Sequence, residues 1–118
     1  MTDRIGCLVP FCRRTTAARR LPAGHTEWIC SAHWRLVSRK AKLMKRRAEE
    51  AYEAARMICV QIDAEGVECA KANGGGVHQE IIYRYSVAAG FAAKKGRQAN
   101  RAWDRCKRQA IEAAGGIR

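Results

Sequence analysis

Two stripes of small and apolar residues, separated by a run of glycines, dominate the hydrophobic pattern of this chain. Between residues 31 and 72 there is no proline and a single glycine, Gly66, and residues that favour helices predominate. Positions spaced by three, four or seven form a first helical stripe, which comprises Leu36, Leu43, Arg47, Ala51, Ala55, Ile58, Ile62 and Cys69. A second stripe comprises Ile81, Tyr85, Ala88, Ala92, Ala99, Trp103, Cys106, Ala110 and Ala113. The pattern predicts two long helices.

The linker Asn73-Gly74-Gly75-Gly76 predicts the end of the first helix, because Asn and Gly readily adopt the left-handed conformation at a C-cap. A linker this short makes the two helices each other's nearest partner, so we expect an antiparallel hairpin with its turn near residues 73–76. In a regular hairpin, residue i then faces roughly residue 150 − i. This register separates Cys59, Cys69 and Cys106, which we expect to be small buried residues. We also expect a kink or break near Gly96, since glycine destabilises a helix interior.

Four metal-ligand residues occur as two closely spaced pairs before the first helix: Cys7-x4-Cys12 and Cys30-x2-His33. Zinc favours four such ligands in a tetrahedron, and each pair can occupy one edge of it. Cys30 and His33 fall at a predicted helix start, where residues i and i+3 share a face. Between the pairs, the turn at Pro22-Ala23-Gly24 predicts flanking segments that pair as strands. We expect His25, the alternative ligand, to lie outside the metal's coordination shell.

The strings around these ligands resemble a treble-clef zinc finger over about residues 5–36. Cys7-Leu8-Val9-Pro10-Phe11-Cys12 is similar to its zinc knuckle, with a wider spacer than usual, and Trp28-Ile29-Cys30-Ser31-Ala32-His33-Trp34 is similar to its helix-side pair. The second string also resembles small zinc-binding proteins of phages and prophages. We expect at least one of Trp28 and Trp34 to pack over the knuckle, together with Phe11 and Leu36. The predicted fold is mainly α: a treble-clef-like zinc module at residues 1–35 and a long antiparallel helical hairpin at residues 36–118.

The resemblance also bears on catalysis. Treble-clef nucleases of the His-Asn-His type carry a general-base histidine near the strand that is predicted here around His25. They hold a catalytic metal with a further His or Asn on the helix. Here the residues that follow His33, from Trp34 to Lys40, include neither His nor Asn. The sequence therefore predicts a protein that is not an enzyme.

The net charge of +12 is distributed unevenly along the chain. Residues 1–47 carry twelve Lys and Arg against two acids, residues 48–73 carry two against six, and residues 74–118 carry nine against three. Such a field attracts polyanions, although like charges also serve simply to keep a surface solvated. The candidate phosphate contacts lie at the zinc module and at the hairpin ends nearest to it: Arg13, Arg14, Arg19, Arg20, Arg35, Arg39, Lys40, Lys42, Lys45, Arg46, Arg47, Arg101, Arg105, Lys107 and Arg108.

The leading hypothesis is a non-enzymatic zinc protein that binds nucleic acid. We favour duplex DNA over RNA because aromatic residues are few and no stacking platform is visible. The alternative is a phage-encoded adaptor or inhibitor that binds an acidic host protein or a nucleoprotein complex through the hairpin. The first twenty residues contain no apolar run that would act as a secretory signal, and no segment is long and apolar enough to span a membrane. We therefore expect a cytoplasmic protein (the host cytoplasm, if phage-encoded) whose thiols are reduced or bound to metal.

Overall fold

Helices make up most of the structure, a computed structural model that describes residues 3–115. Two short antiparallel strands, β1 (Arg4–Gly6) and β2 (Thr15–Ala17), are followed by a single 3-10 turn (Ala18–Arg20). A one-turn helix, α1 (Ser31–Trp34), precedes the two long helices α2 (Arg39–Ala72) and α3 (Gln79–Ala114). The predictions of a mainly helical fold and of a long helical hairpin are confirmed. No described helix has both the length and the apolar character needed to cross a membrane.

The chain divides into two compact units. One, here named the cluster unit, consists of Met1–Leu43 with Trp103–Arg118, and the other, the hairpin unit, consists of Met44–Ala102. The cluster unit therefore includes the first residues of α2 and the last turns of α3. The periodicity of the sequence does not reveal that these helix ends pack with the N-terminal segment, because the residues concerned are far apart along the chain.

Small side chains form the helix interface of the hairpin unit. Ala55, Ile62 and Ala92 are buried, whereas Ile58, which the predicted first stripe included, is 48% exposed. Arg47, in the same predicted stripe, is also exposed. Less exposed positions of α2 instead recur at spacings of three or four, as in a coiled coil: Ala48, Ala51, Ala55, Cys59, Ile62, Gly66 and Cys69. The first stripe was thus wrong in part, because it followed the larger apolar residues rather than the small ones that allow two helices to approach closely.

The register of the hairpin is close to the predicted one. Arg84 donates two hydrogen bonds to Glu65, at 2.7 and 3.2 Å, and the ring of Tyr52 lies against Gly96. The numbers in these pairs add to 149 and 148, against the predicted 150. After α2, Gly74 and Gly75 both have positive φ, at 66° and 104°, and the Gly75 amide donates to the carbonyl of Ala70. Glycine permits this left-handed helix end, as expected from the linker.

Helix α3 is continuous through Gly90 and Gly96, so the predicted break near Gly96 is wrong. A Cβ atom at Gly96 would lie 3.2 Å from Cε1 of Tyr52, which is closer than an ordinary van der Waals contact. A side chain at this position would force the Tyr52 ring to shift by a few tenths of an ångström, so Gly96 fits the packing of that ring and does not mark a break. At Gly90, a Cβ atom would meet no atom within 4 Å.

This difference predicts opposite outcomes for the same substitution at two glycines of one helix. Gly90→Ala should raise the free energy of unfolding by about 0.5–1 kcal/mol, because alanine is the better helix former and nothing obstructs its methyl group. Gly96→Ala should not raise the free energy of unfolding in this way, since the Tyr52 ring has to move to admit the methyl group. Urea unfolding at one fixed metal concentration measures both. An equal gain at the two sites would contradict the close packing of Tyr52 on Gly96.

The region after His33 is not the start of one long helix, as the sequence suggested. Helix α1 ends at Trp34, and α2 begins at Arg39. Ser38 accounts for the interruption, because its Oγ accepts a hydrogen bond from the amide of Ala41 at 3.1 Å, the geometry of an N-cap. The Ser38 amide in turn donates to Oε1 of Gln109 at 2.9 Å. Sequence reasoning overlooked Ser38 as a cap signal.

The strands pair across the knuckle and not across the turn at residues 22–24. The prediction that the segments flanking this turn pair as strands is therefore wrong. Arg4 lies opposite Ala17 and Gly6 opposite Thr15, so the Cys7–Cys12 segment connects β1 to β2. Residues 21–30 form no strand. Their backbone link to the knuckle is a hydrogen bond from the Leu8 amide to the Trp28 carbonyl, 2.9 Å long.

The core of the cluster unit combines residues from both ends of the chain: Val9, Ile29, Val37, Ala41, Cys106 and Ala110. Trp34 and Trp103 pack against it, with ring centroids 6.3 Å apart. The expectation that Phe11 and Leu36 belong to this core is wrong. Phe11 is fully exposed and Leu36 is 44% exposed. Cys106 and Ala110, from the last turns of α3, belong to the core instead.

Candidate metal centre

Three elements bring the four predicted ligands together. Cys7 follows β1, Cys12 precedes β2, and Cys30 is the N-cap of α1, which contains His33. The knuckle closes through a turn in which the Cys12 amide donates to the Val9 carbonyl at 3.1 Å. The antiparallel pairing of β1 with β2 holds the first pair of ligands, and the helical turn holds the second.

The distances between ligand atoms suit a single tetrahedral metal ion. All four ligand atoms lie within 4.8 Å of one another. The Sγ atoms of Cys12 and Cys30 are 3.9 Å apart, and Nδ1 of His33 lies 3.2 Å from Cys30 Sγ and 3.6 Å from Cys7 Sγ. A tetrahedron with metal–sulfur bonds of about 2.3 Å has edges of about 3.8 Å. The cluster can therefore hold a metal ion.

The same cysteines are not disulfide-bonded. All six cysteines of the chain are free thiols, and the 3.9 Å separation of Cys12 and Cys30 far exceeds the roughly 2.05 Å of a disulfide. Cys59, Cys69 and Cys106 lie outside the cluster. Cys106 is fully buried and its thiol donates to the Ala41 carbonyl, whereas Cys59 and Cys69 are half-buried. His25 is exposed and is not part of the cluster either.

Burial and hydrogen bonding act in opposite directions on the cluster thiols. Burial raises the pKa of the Cys7 thiol, and backbone hydrogen bonds from Cys30 and Val9 offset part of that rise. Burial also raises the pKa of Cys30, but the hydrogen bond with the His33 backbone and those with the other ligand side chains outweigh it and lower the pKa to about 7. The thiolate is the form that binds metal. The cluster thus favours the ligating form of its most buried cysteine.

A polar contact beside the cluster attaches α3 to the segment before Cys30. Trp103 Nε1 donates to Oε1 of Glu27 at 3.1 Å, and Nζ of Lys107 donates to the same carboxylate at 3.0 and 3.2 Å. These hydrogen bonds, that from Lys107 foremost, lower the pKa of Glu27, and the Glu27 carboxylate raises the pKa of Lys107. Sequence reasoning missed this contact, because Glu27 and Trp103 are 76 positions apart and no local pattern connects them.

Phe11 is the unexpected residue of the knuckle. Its φ is +66°, and it is the third residue of the Val9–Cys12 turn, with Pro10 in second place. A type II turn requires positive φ at its third position, where glycine or asparagine is usual. Phe11 therefore combines a backbone conformation that costs about 1–2 kcal/mol for a non-glycine residue with complete exposure of an aromatic ring. The backbone conformation belongs to the turn that closes the knuckle, whereas the exposed ring is not part of the core of the cluster unit.

The predicted phosphate contacts fall into both units. Eleven of the fifteen lie in the cluster unit, and Lys45, Arg46, Arg47 and Arg101 lie in the hairpin unit. Twelve of the fifteen side chains are exposed. The other three are engaged locally: Lys42 lies 5.3 Å from the centre of the Trp34 ring, Lys45 pairs with Glu49, and Lys107 pairs with Glu27 and Asp104.

Charge pairing differs between the two units within residues 3–115. Four ion pairs lie in the hairpin unit, Lys45–Glu49, Arg56–Glu53, Lys71–Glu68 and Arg84–Glu65. In the cluster unit, the ion pairs of the described residues all involve Lys107. Arg13, Arg14, Arg19 and Arg20 are exposed and have no acidic partner there. The segment between the two ligand pairs therefore presents uncompensated positive charge.

No protein-family model, no curated protein and no solved structure matches this chain. The function therefore has to be inferred from the geometry and charge of the chain's own residues.

Proposed function

We propose that the protein is a zinc-containing nucleic-acid-binding protein whose metal-held N-terminal segment grips phosphates, with duplex DNA as the preferred ligand. The observation that carries this proposal is a set of four exposed arginines between the two ligand pairs that have no acidic partner among residues 3–115: Arg13, Arg14, Arg19 and Arg20. We further propose that the segment is a treble-clef-like module, since a knuckle and a helix start each supply two ligands. The strand hairpin expected between the ligand pairs is absent from residues 21–30.

Zinc is the metal that this ligand set favours. Three cysteines and one histidine are soft or borderline ligands, and a closed set of four with tetrahedral spacing is typical of structural zinc sites. Calcium and magnesium prefer oxygen ligands, which this cluster does not offer. The bound metal would supply folding free energy to a segment whose strands have three residues each.

The bound metal would help phosphate binding by holding the segment that carries the arginines in one conformation. Arg13 and Arg14 directly follow the ligand Cys12, and Arg19 and Arg20 lie on the 3-10 turn that follows β2. A segment fixed before binding loses less conformational entropy when it meets its partner. Arginine suits phosphate because its guanidinium group can donate two parallel hydrogen bonds to it. Such contacts bind many sequences alike, since phosphates carry no sequence information.

A double substitution tests these contacts. If Arg19 and Arg20 each neutralise a phosphate, changing both to alanine should make the slope of log affinity against log salt shallower by roughly two units. Lys94→Ala, at an exposed position of α3 in the hairpin unit, is the matched control and should change the slope little. An unchanged slope in the double variant would remove these two arginines from the interface. As a non-enzymatic protein, the chain should not incise the DNA with magnesium, manganese or added zinc.

Phe11 favours a second candidate function, that of an adaptor which binds a host protein or a nucleoprotein complex. A fully exposed aromatic ring carried on a strained backbone is well placed to enter an apolar pocket of a partner. If the zinc-loaded, helical protein binds no nucleic acid at low salt, the basic residues serve a protein partner and this second function replaces the first.

A further inference from the structure

An apolar groove runs along one side of the hairpin unit. It has a volume of about 600 Å³ and is lined by residues of α2 and α3. Its walls include Ile58, Tyr83, Val87 and Phe91, which are 48, 70, 56 and 50% exposed. Side chains of this size are normally covered when several lie side by side, because each exposes apolar area to water.

The hairpin unit buries little apolar surface of its own. Within its described residues, the buried hydrophobic side chains are Ala55, Ile62 and Ala92. Two helices cannot enclose a core between them when most of their interface residues are alanine, cysteine or glycine. Four of the larger exposed residues line the groove, where a further pair of helices would complete a four-helix arrangement.

We propose that the groove is the interface of a homodimer, in which the hairpin units of two chains pack groove to groove in antiparallel orientation. A two-fold axis through the middle of the groove places the turn half of one hairpin over the open half of its partner. The turn half, residues 59–90, carries four acids and two bases, whereas residues 44–58 and 91–102 carry eight bases and three acids. The two halves therefore attract each other across the axis, whereas parallel packing would bring the strongly basic halves together.

Two substitutions on α3 test whether the groove itself forms the dimer interface, because one lies in the groove and the other lies elsewhere on the surface. Val87 and Ile82 are branched apolar residues with almost equal exposure, 56 and 57%, but Val87 lines the groove and Ile82 does not. Val87→Glu should weaken dimerisation by about a hundredfold or more, because each dimer would bury two unpaired carboxylates. Ile82→Glu should leave it unchanged. Since both positions are exposed in the single chain, neither variant should lose helix by circular dichroism.

Sedimentation equilibrium of the zinc-loaded chain over a wide concentration range measures the effect. The wild type and Ile82→Glu should approach twice the chain mass of 13.2 kDa, and Val87→Glu should remain at the chain mass. Phe91→Lys provides a second groove variant with the same expected result, should Val87→Glu lose helix. A wild type that stays monomeric at every concentration would overturn the proposal, as would equal weakening by Val87→Glu and Ile82→Glu. These outcomes do not depend on whether the protein binds nucleic acid.

Discussion

Replacement of Cys30 by serine should abolish metal binding and unfold the N-terminal part of the cluster unit. Cys30 is 1% exposed, occupies the N-cap position of α1, and its Sγ atom lies 3.2 Å from Nδ1 of His33. Structural zinc contributes an apparent 10–16 kcal/mol, roughly, to the folding of small zinc-finger peptides at neutral pH. Strands of three residues and a one-turn helix cannot compensate for a loss of that size. Most of the helical circular dichroism should persist, because α2 and α3 contain most of the helix.

Elemental analysis and near-ultraviolet circular dichroism follow the two effects, and Cys59→Ser is the matched control. Cys59 is half-buried in α2 and lies outside the cluster, so its replacement should leave the metal content unchanged. Replacing Cys59, Cys69 and Cys106 together with alanine should also retain the metal, at some cost in stability at the buried Cys106. A Cys30→Ser protein that retains one metal per chain would show that the cluster is not the binding site.

Affinity for duplex DNA should fall steeply with salt, and this is the second large effect that we expect. Nine predicted phosphate contacts of the cluster unit are exposed and have no acidic partner among the described residues: the four central arginines and five bases near the helix ends. The protein therefore neutralises about four phosphates if only the central arginines contribute, and about nine if all of them do. At about 0.9 units per neutralised phosphate, the slope of log affinity against log salt should lie between about −4 and −8. Between 50 and 200 mM salt, the affinity would then fall by about 10²- to 10⁵-fold.

Fluorescence anisotropy with a labelled duplex at several salt concentrations provides this slope. A single-stranded oligonucleotide of the same length serves as the comparison, because the low aromatic content predicts no preference for unstacked bases. Tight binding that does not change with salt would exclude phosphate contacts as its source. Absence of binding even at the lowest salt would favour a protein partner for the basic residues.

The sequence predicted most of what depends on local pattern. Long runs of helix-forming residues and a glycine-rich linker were sufficient to predict the hairpin, and the two contacts Arg84–Glu65 and Gly96–Tyr52 agree with the predicted register to within two residues. Closely spaced ligand pairs were sufficient to nominate Cys7, Cys12, Cys30 and His33, which the structure places within 4.8 Å of one another. Both inferences rest on residues whose partners are near in sequence or are set by a simple geometric rule.

Long-range packing was the part that the sequence did not reveal. Nothing near Glu27 indicates that Trp103 and Lys107 will donate hydrogen bonds to it, because the contact depends on how the last turns of α3 pack against the segment before Cys30. The apolar ring of Phe11 was expected in the core of the zinc module, yet the turn that brings Cys12 to the other ligands exposes this ring. Ile58 was expected at the helix interface for its size, yet small residues such as Ala55 and Cys59 occupy that interface instead.

The metal content of the purified protein is the measurement that tests the central claim most directly, since the proposed function depends on a segment that the metal orders. Protein purified without chelator, examined by elemental analysis and by native mass spectrometry, should contain one zinc ion per chain. The ion should be lost on treatment with a strong chelator and regained on addition of zinc, with parallel loss and recovery of near-ultraviolet circular dichroism. A chain that is folded, helical and free of metal would contradict the account.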